Sequence, residues 1–433
     1  MKLAVISDVH FGDRSSTLAG IDEQGKARLG RTFEAFAAAA GKANDYLVLL
    51  GDIFDFSVSD YATAYSIASI FFAEVNRRGL AREILYIPGN HDFSFWNIAL
   101  HEINVINQLK AGQLPKMRWT IPAVLDARAT HYGSSPLTLV GVGQKAPASV
   151  TKHGGKYGGL FLDQFTVPPN SALAPMTVNV AYPNAYVCDS KGCTLLTHGH
   201  YFESYWSMTL AIVQRILGRD LVLKSGCVDL EALVAVNFPL NELASAGVGQ
   251  AGPLTDVVRQ IVADLRTGNV TREEQYVNAA FEYLDDDVFK FGPWGFLKEM
   301  LTDSFIGICK TAVLGALRIQ KELPRARNNR HFLDDPRVCA NVDLFLRACS
   351  VELKTIRESG IDVPDVNSLI FGHTHDSIPS SAPVSHPFPG THKTLSICNT
   401  GGWLESRPGT PIDAAVFTFD SERSPHWTSL AIN

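Results

Sequence analysis

Carboxylates, imidazoles and one amide recur in five short cassettes: Asp8-Val9-His10, Gly51-Asp52-Ile53-Phe54-Asp55, Gly89-Asn90-His91-Asp92, Thr197-His198-Gly199-His200 and Gly372-His373-Thr374-His375. These are the donors that hard and borderline divalent ions take, oxygen from Asp and Asn and nitrogen from His. Each cassette follows a short apolar run: 3–6, 46–50, 84–87, 194–196 and 368–371. Runs so short and so rich in Leu, Ile and Val read as strands buried on both faces. Ligand sites in open α/β sheets collect beyond the carboxyl ends of strands. Cassettes hundreds of residues apart are therefore expected to meet. One of them alone would be an ordinary strand-end turn; five in series point to a metal site.

A chain of 433 residues is long enough for one large core or two moderate ones. The apolar fraction of 46% against 19% charged residues indicates a folded protein, and a net charge of −6 gives no general attraction to nucleic acid or anionic lipid. The seven cysteines contain no CxxC pair, which argues against a disulfide framework or a zinc ribbon and for free thiols in a reducing compartment. Cleaving a leader would destroy the first cassette, and no apolar run reaches the roughly 20 residues that span a bilayer. The expected location is cytoplasmic.

The elements that position the cassettes follow from the text between them. Residues 31–43 and 61–78 read as helices between the first three strands, a β-α-β rhythm that implies right-handed crossovers and a largely parallel sheet. Strands are expected at 137–142 and 178–181, with Gly/Pro-rich loops or a hairpin excursion over 143–175. After His200 some 150 residues turn helical, with candidates at 203–217, 255–266, 272–284, 296–322 and 336–358. Thr271 with Glu274 fits a capping box, and Pro336 after Asp335 a first helical turn. Strands return at 368, 394–398 and 414–419. Because the fourth and fifth cassettes must share a site, the helical block reads as an insertion.

Together, DVH, GDIFD, GNHD, THGH and GHTH resemble the calcineurin-like metallophosphoesterase superfamily, over residues 1–200 and 364–433. The resemblance implies an α/β fold, a β-sandwich flanked by helices (αββα) with an inserted helical cap: core 1–200, cap 201–363, core 364–433. It implies two divalent ions (Mn, Fe, Zn, Co or Ni, with Mn favoured) that clamp a phosphoryl group and activate a water between them. By the family pattern Asp8, His10 and His375 hold the first ion, Asn90, His198 and His373 the second, and Asp52 bridges both. His91 matches the family's general acid, which protonates the departing oxygen. Asp55, three residues after Asp52, would pair with it, fixing its tautomer and raising its pKa. Asp92 would stand outside the ligand set or brace its loop. His200 is left as a neighbour of the ligands, a substrate contact or an exposed ring. Asn399, in Asn399-Thr400-Gly401-Gly402, resembles the Asn-x-Gly turn that relatives place near the metals, where it would meet substrate; a simple tight turn fits equally.

The expected activity is hydrolysis of a phosphomonoester, phosphodiester or pyrophosphate. A nuclease of the same superfamily is the near alternative, opposed by the acidic balance and the lack of repeated basic-aromatic clusters. A binding scaffold is opposed by the complete ligand set. Asp55 occupies the place where purple-type iron-zinc phosphatases carry a tyrosine. In the cap, Tyr201, Phe202, Tyr205, Trp206, Met208, Leu210 and Ile212 are followed far downstream by Lys310, Arg318, Lys321, Arg325, Arg327 and Arg330. They are either a buried helix and a solvated face, or a greasy cleft with guanidinium groups. The cleft would suit a small or amphiphilic phosphate ester and would also bring the cap to a membrane surface. That form is similar to the UDP-diacylglucosamine pyrophosphatase branch, which usually lacks the histidine that this chain has in GNHD.

Overall fold

The computed structural model describes residues 1–128, 136–140, 160–204, 206–207, 210, 229–242, 332–422 and 424–432. Contacts divide the chain into one unit of Met1–Gln250 with Asn328–Asn433 and a second of Ala251–Arg327. The second unit lies outside the described residues. So do the expected helices at 255–266, 272–284 and 296–322, the Thr271–Glu274 box and the whole basic stretch. The flanks of the expected insertion, 201–250 and 328–363, group with the first unit.

In that unit the strands run β1 (Lys2–Ile6), β2 (Ala19–Ile21), β3 (Ala27–Leu29), β4 (Asn44–Leu49), β5 (Ala81–Tyr86), β6 (Ala123–Asp126), β7 (Leu137–Leu139) and β8 (Thr177–Val180). They continue with β9 (Asn184–Cys188), β10 (Cys193–Thr197), β11 (Val366–Phe371), β12 (Ser377–Ile378), β13 (Val384–Pro387), β14 (Thr394–Gly402), β15 (Asp413–Asp420) and β16 (Ser424–Ile432). One large curled sheet has the order β7-β6-β9-β10-β11-β14-β15-β1-β4-β5-β8, while β2 and β3 form a separate hairpin. The fold class is the α/β arrangement that the family resemblance implies.

All five cassette-bearing strands, β10, β11, β1, β4 and β5, lie inside the two end strands of that order. β1, β4 and β5 are mutually parallel, as are β10, β11 and β14. The two sets join through β14, whose Gly401 and Gly402 leave β11 and pair with β15. Gly401 has φ +67°, and a Cβ there would collide with the Asp413 carbonyl, so the crossing needs glycine. β1 is buried after Lys2, β10 throughout, and β4 and β5 over their last four and three residues. Helix α1 (Phe33–Ala40) and helix α2 (Tyr61–Arg77) cover this sheet, and Asp60 caps α2 by accepting from the Thr63 amide at 2.7 Å. Phe11, Phe33, Phe36 and Phe71 interlock beneath them.

Helix α3 (Phe93–His101) follows the third cassette directly, and the sequence reading had passed it over. Helix α4 (Leu230–Asn241) is capped by Asp229, and its Glu231 accepts from the Trp119 and Thr120 amides. Helix α5 (Pro336–Glu358) starts on the expected Asp335–Pro336 signal. The helix expected from residue 203 is different: His200–Phe202 form a single 3-10 turn that Glu203 leaves in an extended conformation. Tyr201, Phe202, Trp206 and Leu210 are buried, with Phe202 edge-on to Phe345 and Phe371, so these apolar residues are core. Cys188 and Cys193 pair directly across β9 and β10 with sulfurs 2.9 Å apart, a meeting not foreseen from their spacing. Among the described residues no helix is long and apolar enough to cross a membrane.

α5 carries a buried acid. The Tyr186 hydroxyl donates to Glu352 Oε2 at 2.7 Å, while Oε1 is buried without a hydrogen-bond partner. Burial, only partly offset by the Tyr186 and Asn184 bonds, pushes this carboxyl up from 4.5 to about 7. Between those values the folded protein holds a proton that the unfolded chain has released, so raising the pH through this window erodes stability. We expect Glu352→Gln to flatten that slope, with a relative gain of at most about 3 kcal/mol above pH 7. Urea unfolding of both proteins at pH 5.5 and 8.5 measures it, and parallel losses in the two would contradict the assignment.

Candidate metal centre

Backbone hydrogen bonds lace the cassettes together before any side chain acts. The amides of Asp8, His10 and Phe11 donate to the carbonyls of Gly51, Asp52 and Ile53, and Gly372 donates to His198, all at 2.8–3.0 Å. Trp403 donates back to the Asp8 carbonyl. Asp8, His10, Asp52, His373 and His375 all have φ between 51° and 72°, where non-glycine residues are rare. Only Ala43 and Asn170 share that property among the described non-glycine residues. Such backbone is held at functional sites against a local cost. Glycines make room for it: a Cβ on Gly89 would press on Asp52 Oδ1, one on Gly51 on the His198 ring, and one on Gly372 on Asp8 Oδ2.

Three groups of donors result, each with its ligating atoms within 4.8 Å: Asp8, His10 and His375; Asp52, His198 and His373; and His10, Asp55 and His91. Asp52 Oδ2 lies 3.2 Å from His198 Nε2 and 3.9 Å from His10 Nε2, between the first two groups. Asn90 Oδ1 joins the second, 3.1 Å from His198 Nε2. Asp55 Oδ2 meets His10 Nδ1 and its Oδ1 meets His91 Nδ1, both at 3.0 Å. All seven expected ligands and both expected catalytic residues thus stand in one cluster.

The cluster has the chemistry of a cation site. His198 Nδ1 donates to the Leu50 carbonyl at 3.0 Å, so its Nε2 lone pair faces two further acceptors, Asp52 Oδ2 and Asn90 Oδ1. Asp8 Oδ2 is engaged by Ser7 Oγ and the His373 amide, but the buried Oδ1 has no hydrogen bond. Neither ring nitrogen of His373 has one either. Converging lone pairs and orphaned buried acceptors are stabilised by positive charge. The mix of imidazole and carboxylate suits Mn, Fe, Zn, Co or Ni.

Electrostatics agree. Burial opposes ionisation of the carboxylates, yet the surrounding imidazoles outweigh it, holding Asp8 below the usual carboxylate range and Asp52 and Asp55 well below it. Burial likewise opposes charge on the rings, but Asp55 and Asp52 lift His91 to about 10, and Asp52 lifts His198 to about 9. For His200, burial and the charges of His198 and His373 outweigh the pull of Asp52 and leave it well below normal, a neutral ring.

His200 is buried, 5.5 Å from the His198 ring, with Nε2 3.2 Å from the Tyr182 hydroxyl. That removes the exposed alternative and makes it a wall behind the ligands. Asn399 is also buried: its amide donates to the Gly372 carbonyl at 2.7 Å and its oxygen accepts from Gly401. Both ends hold backbone, which fits bracing of the His373 turn rather than contact with substrate. Asp92 braces its loop, accepting from the Ile53 and Gly89 amides while burial raises its carboxyl to about 6. Sequence reasoning missed Ser57, which donates to Asp55, together with Ser7 and Glu203. Two serines and a glutamate outside the cassettes carry no spacing signal.

Residues 1–200 match the family model described as Calcineurin-like phosphoesterase. The match takes in the first 200 of the 433 residues, a little under half of the chain. The coarse activity of this family is metal-dependent hydrolysis of a phosphoric ester, and the fifth cassette, beyond the matched residues, completes the same cluster. No curated protein matches the chain. Among solved structures, a dimetal phosphatase from Danio rerio aligns over 100% of this chain and 98% of its own, at 12% identity and a TM-score of 0.27. At that score the two share too little geometry for a fold or a role to be transferred.

If glycine at 89 exists to admit Asp52, then Gly89→Ala should displace the carboxylate by a sizeable fraction of an ångström. We expect the folded variant to hold fewer divalent ions and to lose about 100-fold or more in turnover. Metal content by elemental analysis, with circular dichroism as the check on folding, tests this; full metal content would contradict it.

Proposed function

We propose that this phosphoesterase cleaves phosphate esters with unactivated leaving groups, using two divalent ions. Asp8, His10 and His375 would hold one, Asn90, His198 and His373 the other, with Asp52 between them. The observation that supports it most is the placing of Asp52 Oδ2 between His10 and His198, with His91 fixed at the rim by Asp55. When bound, such a pair polarises phosphoryl oxygens and lowers the pKa of water.

The chain's own residues supply the rest. Asp55 accepts from His91 Nδ1–H, which leaves Nε2 as the atom that can deliver a proton to the departing oxygen. The Ser57 amide and hydroxyl donate to the same Asp55 oxygen and fix it. The His91 amide donates to Asp52 Oδ1 at 2.7 Å, so the acid and the bridging carboxylate are positioned by one hydrogen bond. His10 takes its tautomer from the other Asp55 oxygen, presenting Nε2 as the ligand nitrogen. A small or amphiphilic phosphate ester is the substrate class we favour, since the net charge of −6 offers no general attraction to a polyanion. Manganese is the ion we favour.

With Mn²⁺ the protein is expected to hydrolyse bis(p-nitrophenyl) phosphate, and Asp52→Asn to fall to the level of metal-stripped protein. Equal rates in the two would overturn the assignment. The role of His91 is separable by leaving group. His91→Ala should lose about 10²–10⁴-fold on an alkyl ester, whose alkoxide needs a proton. It should lose far less on a p-nitrophenyl ester, whose phenolate leaves unaided. Equal losses on both would remove the general-acid role.

A further inference from the structure

Three rings of the centre have a partner that settles which nitrogen faces the cluster. His10 and His91 have Asp55, and His198 has the Leu50 carbonyl. His373 has no hydrogen bond at either nitrogen, although its backbone is pinned at φ 72° with its amide on Asp8 Oδ2. Glu203 faces it. The chain leaves the His200–Phe202 turn extended at this residue, and the carboxylate Oε2 reaches 3.3 Å from His373 Nε2. That oxygen is itself buried without a hydrogen-bond partner. A buried orphan acceptor and a buried orphan donor at this distance complete one another. The cluster of Asp52, His198 and His373 closes without Glu203, which meets the ring at Nε2.

We propose that Glu203 is a positioning residue for the second ion: it accepts the Nε2–H of His373 and leaves Nδ1 as the ligand nitrogen. A carboxylate behind a ligating imidazole fixes the ring's tautomer and orientation and raises its basicity. The proposal rests on the two-ion reading above. It also gives the turn after the fourth cassette a task, since the His200–Phe202 turn brings both His198 and Glu203 to the cluster.

The test is titration of the metal-stripped full chain with Mn²⁺ and Co²⁺ by calorimetry and chelator competition, in the parent protein, E203A and E203Q. E203A should weaken one of the two ions by about 10–100-fold and leave the other unchanged. In E203Q the amide oxygen still accepts the Nε2–H but without charge, so the loss should be smaller, with a shift of the Co²⁺ visible bands. If E203A does not fold, E203Q alone carries the comparison. Two ions bound with parental affinity and an unshifted Co²⁺ spectrum in the folded variants would overturn the role of Glu203 and leave the two-ion reading intact. A parent chain that takes up no divalent ion would overturn both.

Discussion

The centre concentrates ionisable groups where water is excluded. Asp8, Asp52 and Asp55 are buried among His10, His198 and His373, with His91 and His375 at the rim. A lone buried carboxylate is costly enough that it would normally take up a proton. These remain ionised because imidazoles surround them, and His10, His91 and His198 are in turn driven towards the charged form by the carboxylates. The arrangement therefore demands positive charge at its middle, from protons on the rings or from cations between them. A neutral substitution at any one member leaves its partners as uncompensated buried charges. The cassettes are a single electrostatic unit for this reason, even though the sequence spreads them over 368 positions between Asp8 and His375.

That demand has to be met by geometry that the backbone resists. Five site residues have left-handed φ values, and strain of this kind costs roughly 1–3 kcal/mol per residue. A whole domain keeps only about 5–15 kcal/mol of net stability. The strain is tolerable because it is shared: each turn is tied to another cassette by a main-chain hydrogen bond, and Asn399 ties the last one to β14. The curl of the sheet at Gly401–Gly402 belongs to the same solution. It turns β14 from β11 towards β15, and so brings the ends of β10 and β11 against those of β1, β4 and β5. Fold and site depend on one another through glycines that admit side chains, rather than through any long-range device.

The candidate donors were legible in the sequence because they obey local rules, while their sharing out between two ions rests on the family resemblance. Each donor follows a buried strand within a few residues, and strands of β-α-β units end on the same side of a sheet. Helix α5 was legible for a similar reason, from one Asp-Pro step and a 3.6-residue pattern. What escaped was set by tertiary placement. The text leaves Asn399 and His200 open between substrate contact and structural roles, and tertiary placement sets their side chains against a turn and an aromatic wall. Glu203 reads as the start of a helix, but it leaves the His200–Phe202 turn in an extended conformation. The hairpin β2–β3 escaped because three-residue strands give too few alternations to be seen.

The choice of Asn rather than Asp at position 90 ties these threads together. A carboxylate there would serve a cation equally well as an oxygen donor, but it would sit 3.1 Å from His198 and on the same ring nitrogen as Asp52. Among the expected ligands only Asp8 and Asp52 carry charge, and Asp55, although ionised, is turned to His10 and His91. Two divalent ions would then bring more positive charge than these carboxylates cancel, and the excess would face whatever enters the site. A phosphate ester is an anion, and its transition state gathers further negative charge on the phosphoryl oxygens. A neutral amide at 90 would keep the donor and withhold the charge, so a centre loaded with two ions would stay attractive to phosphate.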